Sequence, residues 1–271
     1  MINILMSTYN GEKYLSEQID SIINQTEKNW HLYIRDDGST DQTINIIDRY
    51  TQKDQRITFV KNDGKNLGAM MSFFYLLETF GDSEYIAFSD QDDVWYPNKL
   101  ELCLQTIQQA EKNDDSKTPI VVHCDLEVVD SELKTITNSF WKYTNINVDL
   151  LDNNIHYMAL CNSITGCAMM FNHAAQHFAF PLGNPRMHDS WIGLKTLANK
   201  GRVIALPQQL IKYRQHNSNV CGAQKYSFKL GNIKEKISDY KQLYKMSHPF
   251  VFKNWWHFII WKIRYFVEIH K

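Results

Sequence analysis

Over the first hundred residues the apolar positions repeat in one order: a short run, a polar loop, then a helical stripe. Ile2 to Thr8 is an apolar run ending in Ser7-Thr8-Tyr9-Asn10-Gly11, and Leu15, Ile19, Ile22 and Ile23 then recur at helical spacing. Leu32 to Ile34 reads as a second strand, Asp36-Asp37-Gly38 as its turn, and Ser39 with Gln42 as a capping box opening a helix through Ile44 and Ile47. Ile57 to Val60 is a third strand, Asn62-Asp63-Gly64 its turn, and Ala69, Phe73, Leu77 and Phe80 the inward stripe of a third helix. Tyr85 to Phe88 is a fourth strand that runs into Ser89-Asp90-Gln91-Asp92-Asp93. Pro97 then suits the first turn of a helix carrying Leu100, Leu104 and Ile107.

This alternation predicts an α/β chain with a mostly parallel central sheet and helices on both faces. Ligands of such sheets bind outside the carboxyl ends of the strands, and here those ends carry Thr8-Tyr9-Asn10, Asp36-Asp37 and Asp90 to Asp93. The second half is less regular. Candidate strands are Ile120 to His123, Cys167 to Phe171, Val203 to Leu206 and Leu210 to Tyr213, with a helix after His188-Asp189.

Composition narrows the classes. With 271 residues, 44% hydrophobic and 22% charged, the chain suits one α/β domain with an appendage. Its net charge of -1 supplies no broad basic field for a phosphate backbone, so nucleic acid is not expected as a partner. Cys103, Cys124, Cys161, Cys167 and Cys221 form no C-x-x-C pair and mostly lie in apolar segments, which points to reduced thiols and a cytoplasmic setting. The start shows no signal-peptide pattern, and no window reaches the roughly 18 uninterrupted apolar residues of a membrane span.

The loop after the fourth strand carries the most chemistry. Asp90-x-Asp92 places two carboxylates on one face of an extended segment, where both can approach one hard cation. Mg²⁺ or Mn²⁺ held this way completes its shell with water and phosphate oxygens, which suits a nucleotide diphosphate. Asp-x-Asp alone is also common in solvated turns.

Taken together and in order, Thr8-Tyr9-Asn10, Asp36-Asp37-Gly38-Ser39 and Asp90-Gln91-Asp92-Asp93 resemble the family 2 glycosyltransferases over roughly Met1 to Ala223. The resemblance implies a GT-A nucleotide-diphospho-sugar transferase fold and an inverting, metal-dependent transfer of one sugar to a hydroxyl. It divides the chain into a catalytic domain over 1–223, with a nucleotide-sugar-binding half (1–115) and an acceptor half (116–223), and a C-terminal helical region over 224–271.

By this resemblance Thr8, Tyr9 and Asn10, with the side chain of Asp37, hold a uracil or thymine base and its ribose. A carboxylate there accepts a hydrogen bond from the pyrimidine N3–H. Asp36 either joins them or closes the turn. Lys65 either reaches the nucleotide or is an exposed loop lysine. Asp92 resembles the principal metal ligand, Asp90 supports it or contacts the donor ribose, and Asp93 lies behind.

In Met187-His188-Asp189-Ser190-Trp191, Asp189 resembles the catalytic base. It would take the acceptor proton as the oxygen attacks the anomeric carbon from the face opposite the diphosphate. Read locally, Asp189 also suits a helix N-terminus. His188, Trp191 and Asp125 are candidate acceptor contacts, although the helical spacing of Trp191 with Leu194 and Ala198 also turns Trp191 toward the core. In Tyr213-Arg214-Gln215-His216-Asn217-Ser218-Asn219, His216 resembles a residue that binds metal or diphosphate, and Arg214 would neutralise leaving-group charge. Gly166 would let a substrate approach the backbone, and Cys167 reads as core rather than nucleophile.

Gly166-Cys167, His188-Asp189 and Tyr213-Arg214-Gln215-His216 most resemble the bacterial rhamnosyltransferase-like branch. That implies dTDP-rhamnose or a UDP-hexose as donor and a glycan or lipid-linked glycan as acceptor, in surface polysaccharide or glycoconjugate synthesis. The chain lacks the Gln-x-x-Arg-Trp signature of processive synthases, which favours a single addition.

Phe250 to Lys271 is rich in Trp and Phe, with Lys253, His257, Arg264, Glu268 and Lys271 as one narrow polar stripe. Such a helix suits the inner face of the cell membrane, or packing on the catalytic domain, or the second subunit of a homodimer. Among rival classes, a dinucleotide oxidoreductase would show G-x-G-x-x-G where Ser7 to Gly11 stands. A sugar nucleotidyltransferase would carry a Gly-rich basic loop there. A sugar-binding or scaffold protein that keeps the fold without chemistry would have no need of Asp37, Asp90, Asp92, Asp189 and His216 together.

Overall fold

A computed structural model describes residues 1–61, 65–113, 117–217, 219, 222–223 and 233–269, with the backbone alone at 233–236. The expected Asn62-Asp63-Gly64 turn, Ser218, Cys221, Lys271 and the segment that follows the boundary at Ala223 lie outside these residues.

The first half follows the predicted order: β1 (Ile2–Thr8), α1 (Leu15–Ile23), β2 (Trp30–Asp36), α2 (Thr43–Lys53), β3 (Ile57–Val60), α3 (Ala69–Phe80) and β4 (Tyr85–Ser89). A two-residue β5 (Val94–Trp95) precedes α4 (Lys99–Glu111). Then come β6 (Ile120–Val129), β7 (Thr135–Thr137), three short helices α5 (Phe140–Thr144), α6 (Val148–Asp152) and α7 (Ile155–Leu160), β8 (Met169–Asn172), α8 (His173–Ala179), α9 (His188–Ala198) and β9 (Arg202–Arg214). Two longer helices follow, α10 (Ile233–Ser247) and α11 (Trp255–Glu268).

The strands form one sheet in the order β3-β2-β1-β4-β8-β6-β9-β5, with β7 added to β6. β3, β2, β1 and β4 are parallel, as helical crossovers require. Beyond them the sheet is mixed: β8 runs antiparallel to both β4 and β6, β5 is antiparallel to β9, and β6 and β9 are parallel. The side chains of β1 show how the sheet separates two cores. Ile2, Ile4 and Met6 pack with α1, α2 and α4 on one face. Leu5 points to the other, where α3, α7, α8 and α9 lie.

Three local expectations change. Ser39 makes no capping box, because its hydroxyl donates to Asp36 Oδ2 at 2.5 Å, and α2 starts after Gln42 without a side-chain cap. The strand expected from Cys167 begins two residues later, after a 3₁₀ turn over Gly166–Ala168. The two short strands expected around Pro207 are one long β9, whose register against β6 jumps from Cys124↔Leu206 to Asp125↔Gln209. A proline without an N–H is accommodated at such a bulge.

The last helices pack on the domain. Phe258 of α11 is fully buried among Tyr244, Phe252 and Trp255, and Trp261 stacks on His156 with centroids 4.0 Å apart. Among the described residues no helix is long and apolar enough to cross a membrane.

Asn172 joins the two halves at the end of β8. Its Oδ1 accepts from Ile120 N and Ala175 N, and its Nδ2 donates to Thr118 O and Glu111 Oε1. Asn172→Ala leaves the buried Ile120 N of β6 and the Thr118 carbonyl before it without this partner and removes the cap of α8. The expected cost is about 2–3 kcal/mol, read as a melting temperature lower by about 4–10 °C in thermal denaturation.

Candidate active site

The parallel register places three loops on one edge. Thr8 pairs with Asp36, and Met6 pairs with Ser89, so the residues following β1, β2 and β4 leave the sheet side by side. They open a cavity of about 400 Å³. Of the residues singled out from sequence, Thr8, Tyr9, Asp37, Asp90, Asp92, Gly166, His188 and Asp189 line it.

On one side stands Asp37. Its buried carboxylate receives Arg35 Nη1 at 2.5 Å, Leu67 N at 2.7 Å and Gly68 N at 2.8 Å, which fixes its orientation toward the cavity. Gly68 has φ +74, a backbone region that favours glycine, and this turn is what aims its N–H at the carboxylate. Asp36 is the turn-former: it accepts from Thr8 Oγ1, Gly38 N, Ser39 N and Ser39 Oγ and does not line the cavity. The Lys65 side chain is exposed and away from the cavity, while its carbonyl accepts from Arg35 Nη2 at 2.8 Å. Asn10 Oδ1 accepts from Thr40 N at 2.9 Å, so this residue ties two loops together beside the cavity rather than lining it.

At the centre is the acidic loop. The expected ligands Asp90 and Asp92 both line the cavity. Asp92 Oδ2 lies 2.8 Å from His216 Nε2, whereas Asp90 gathers with Asp93 and Cys167, their ligand atoms within 4.8 Å of one another. The segment is a bend at Gln91 and Asp92 rather than an extended strand. Asp93 is fully buried. Its Oδ1 accepts from Arg214 N at 3.1 Å, and its Oδ2 has no hydrogen-bond partner. Burial, reinforced by the charges of Asp92 and Asp189, pushes the Asp90 carboxyl up to about 7. Burial and the charges of Asp92 and Asp90 push Asp93 well above the usual carboxylate range. The Cys167 thiol, raised well above its ordinary value by burial, stays neutral and is a poor partner for a hard ion. The grouped carboxyl oxygens of Asp90 and Asp93 are hard donors of the kind that suit Mg²⁺ or Mn²⁺.

Facing this loop is the start of α9. Asp189, nearly buried, has its carboxyl raised to about 6 by desolvation, which outweighs hydrogen bonds from the backbone of Ser190 and Gly166. His188 lies beside it, held between Phe73 and Phe88 at 4.3 and 4.9 Å, and burial lowers its imidazole to about 3, so it is neutral. A Cβ on Gly166 would sit 2.5 Å from His188 Nε2, so the glycine makes room for this imidazole rather than for a substrate.

Three candidates belong to the scaffold. Arg214 is buried and fully engaged: Nε donates to Asp92 O at 2.7 Å, Nη1 to Ser131 O at 2.7 Å and Nη2 to Glu17. It braces the acidic loop and is not open to a leaving group. Asp125 accepts from Leu126 N, Ser139 Oγ, Trp141 N and Gln209 Nε2 outside the cavity. Trp191 is core, its Nε1 donating to Ala179 O at 2.8 Å. His216 sits at the far side of Asp92, against the Tyr14 ring. The structure adds Gln91, which clamps Tyr9 through both backbone groups (2.8 and 3.0 Å), and Asn219, whose Nδ2 reaches toward Asp92 at 3.5 Å. Neither amide has a sequence signal beyond its place inside a motif.

Comparison with known proteins agrees with this geometry. Residues 3–172 match the model of glycosyl transferase family 2. The chain is 29% identical over 226 residues to an uncharacterized glycosyltransferase of Haemophilus influenzae, covering 80% of this chain and 66% of that protein. A dTDP-rhamnosyl transferase of Shigella flexneri is 40% identical over 98 residues, 35% of this chain and 34% of its own. The chain thus spans two thirds or less of the length of these relatives. Among solved structures, a mannosyltransferase of Pyrobaculum calidifontis in complex with GDP-Man and Mn²⁺ superposes with a TM-score of 0.59 at 16% identity, over 90% of this chain and 62% of that one.

The raised carboxyls make a stability prediction. A carboxyl whose folded pKa exceeds its unfolded value contributes stability that is complete below the unfolded value, near 3.8, and is lost as pH rises through the folded one. For Asp189 and Asp90 that loss falls between about pH 4 and 7. In metal-free buffer, Asp90→Asn is expected to raise the melting temperature at pH 8 by about 2–4 °C or more, and by much less at pH 5.

Proposed function

The chain belongs to glycosyl transferase family 2, and from that premise we propose that it is an inverting, metal-dependent glycosyltransferase moving one sugar from a nucleotide diphosphate to an acceptor hydroxyl. The fold is the GT-A arrangement of such enzymes. The observation that carries the reading is the position of Asp189: a carboxylate with its pKa raised to about 6, in the same cavity as Asp37 and the acidic loop.

Asp37 suits the donor end, because its oriented carboxylate can accept from a pyrimidine N3–H while the Tyr9 backbone, clamped by Gln91, borders the base. Asp92 and Asp90, both lining the cavity, would hold the cation, with His216 beside Asp92. When bound, Mg²⁺ or Mn²⁺ offsets charge on the diphosphate and completes its shell with water, so few protein ligands suffice.

Asp189 then acts on the acceptor. As the hydroxyl oxygen forms its bond to the anomeric carbon, the bond from that carbon to the phosphate oxygen breaks on the opposite face. The hydroxyl proton passes to Asp189, and the nucleoside diphosphate departs. Neutral His188 gives the same wall a hydrogen-bonding group without adding charge. The Shigella relative's activity supports dTDP-rhamnose as donor, with a UDP-hexose as the alternative. We assign the acceptor to a glycan or lipid-linked glycan of surface polysaccharide or glycoconjugate synthesis, and the site of action to the cytoplasm at the inner face of the membrane.

Nucleotide release from dTDP-, UDP- and GDP-sugars, with Mn²⁺ and with chelator, is expected to show metal-dependent turnover of one donor. Donor binding without turnover against a glycan acceptor panel would instead favour a sugar-binding protein. Asp189→Asn is expected to keep donor binding and to lower transfer by about 10²–10⁴-fold, whereas Asp92→Ala abolishes metal-dependent donor binding. The base must be ionised to act. kcat/KM is therefore expected to rise with pH to a plateau above about 6, and this rise should vanish from the residual activity of Asp189→Asn.

A further inference from the structure

Among the described residues the final helix buries one side and leaves much of the other exposed. While Phe258 of α11 is buried, Trp256, Ile260, Ile263 and Val267 are 75%, 50%, 60% and 50% exposed. Spaced four, three and four residues apart, they form one continuous stripe along the helix, widened by Phe266. Scattered apolar residues on a surface need no explanation, but an aligned stripe of this length does.

Charge identifies what covers it. Residues 224–271 carry ten Lys and Arg against three Asp and Glu, whereas residues 1–223 carry nineteen against twenty-seven. The near-neutral chain is thus an acidic domain joined to a strongly basic end. Lys253 stands exposed just before α11, and Arg264 is exposed one position along from Ile263, so cations border the apolar stripe. A two-fold pairing of α11 with α11 would bring two basic segments together, and the resulting repulsion disfavours a second copy as the occupant.

We infer that α11 is a docking element for an anionic lipid bilayer, lying in the interface plane with Trp256, Ile260, Ile263 and Val267 among the acyl chains and with Lys253 and Arg264 at the headgroups. Trp at headgroup depth and basic residues beside an apolar face are the features such a helix needs. The inner face of Phe258, Trp261 and Tyr265 stays on the protein, so the helix serves as both a packing element and a contact surface. This inference is independent of the transfer chemistry and of the identity of the donor.

The test is co-sedimentation of the full chain with vesicles of phosphatidylcholine alone and of phosphatidylcholine with about one third phosphatidylglycerol. Binding to the anionic vesicles alone, weakened by salt, is the expected result. The pair Ile260→Glu and Ile263→Glu, and separately the pair Lys253→Glu and Arg264→Glu, should each lower the bound fraction's partition coefficient roughly tenfold or more. Unchanged melting temperature and circular dichroism would show that the variants are folded, and the charge pair leaves the apolar packing intact. Wild-type protein that stays in the supernatant with anionic vesicles, or binding that both pairs leave unchanged, overturns the inference. So does a dimer in sedimentation velocity that the Ile260 and Ile263 changes dissociate while vesicles remain unbound.

Discussion

The constraint around which this molecule is arranged is the gathering of four carboxylates, Asp90, Asp92, Asp93 and Asp189, at the carboxyl edge of one sheet. Desolvation raises the Asp189 carboxyl to about 6, and desolvation reinforced by the charges of Asp92 and Asp189 raises the Asp90 carboxyl to about 7. The protein does not relieve this by pairing each carboxylate. Arg214, the large cation nearest the acidic loop, donates to the Asp92 carbonyl, to Ser131 and to Glu17, and offers Asp93 only its backbone N–H.

Beneath the loop lies a second, buried layer. Lys99 places its ammonium 3.2 Å from the centroid of the Trp95 ring, makes no hydrogen bond, and has its pKa lowered by burial. Asp93 and the thiols of Cys103, Cys124 and Cys167 share this region and oppose that lowering without reversing it. Burial raises all three thiols, so they behave as core rather than as nucleophiles.

The sheet divides the work. Its parallel half presents loops that follow strands, and these loops carry the residues suited to the nucleotide. The mixed half supplies Gly166 just before β8, the start of α9 with His188 and Asp189, and the end of β9 with Arg214 and His216. The antiparallel pairing of β4 with β8, from Tyr85↔Asn172 to Ala87↔Met170, ties the halves together. The base candidate and the acidic loop therefore belong to different parts of the chain that meet only when the sheet is complete.

Much of this was legible in the residues. Apolar periodicity located β1 to β4 and α1 to α4, because an amphipathic face imposes its period on the sequence whatever it packs against. Polar residues at strand ends marked the cavity, and motif order singled out Asp37, Asp90, Asp92 and Asp189, all of which line it. For Asp36 and Trp191 the residues offered both a site role and a scaffold role, and only their hydrogen bonds decided for the scaffold, while the roles of Asp125 and Arg214 were not legible: each is a chemically able side chain whose hydrogen bonds go to the scaffold. Nor could spacing show that the acidic loop bends, sending Asp92 to His216 and Asp90 to Asp93 and Cys167. Local pattern determines which surface a segment buries, since burial depends on its own side chains. Which partner a polar group finds is decided by segments far away in sequence, and a partner 28 or 124 residues distant, as for Asp36 with Thr8 and for Asp92 with His216, leaves no trace in the local pattern.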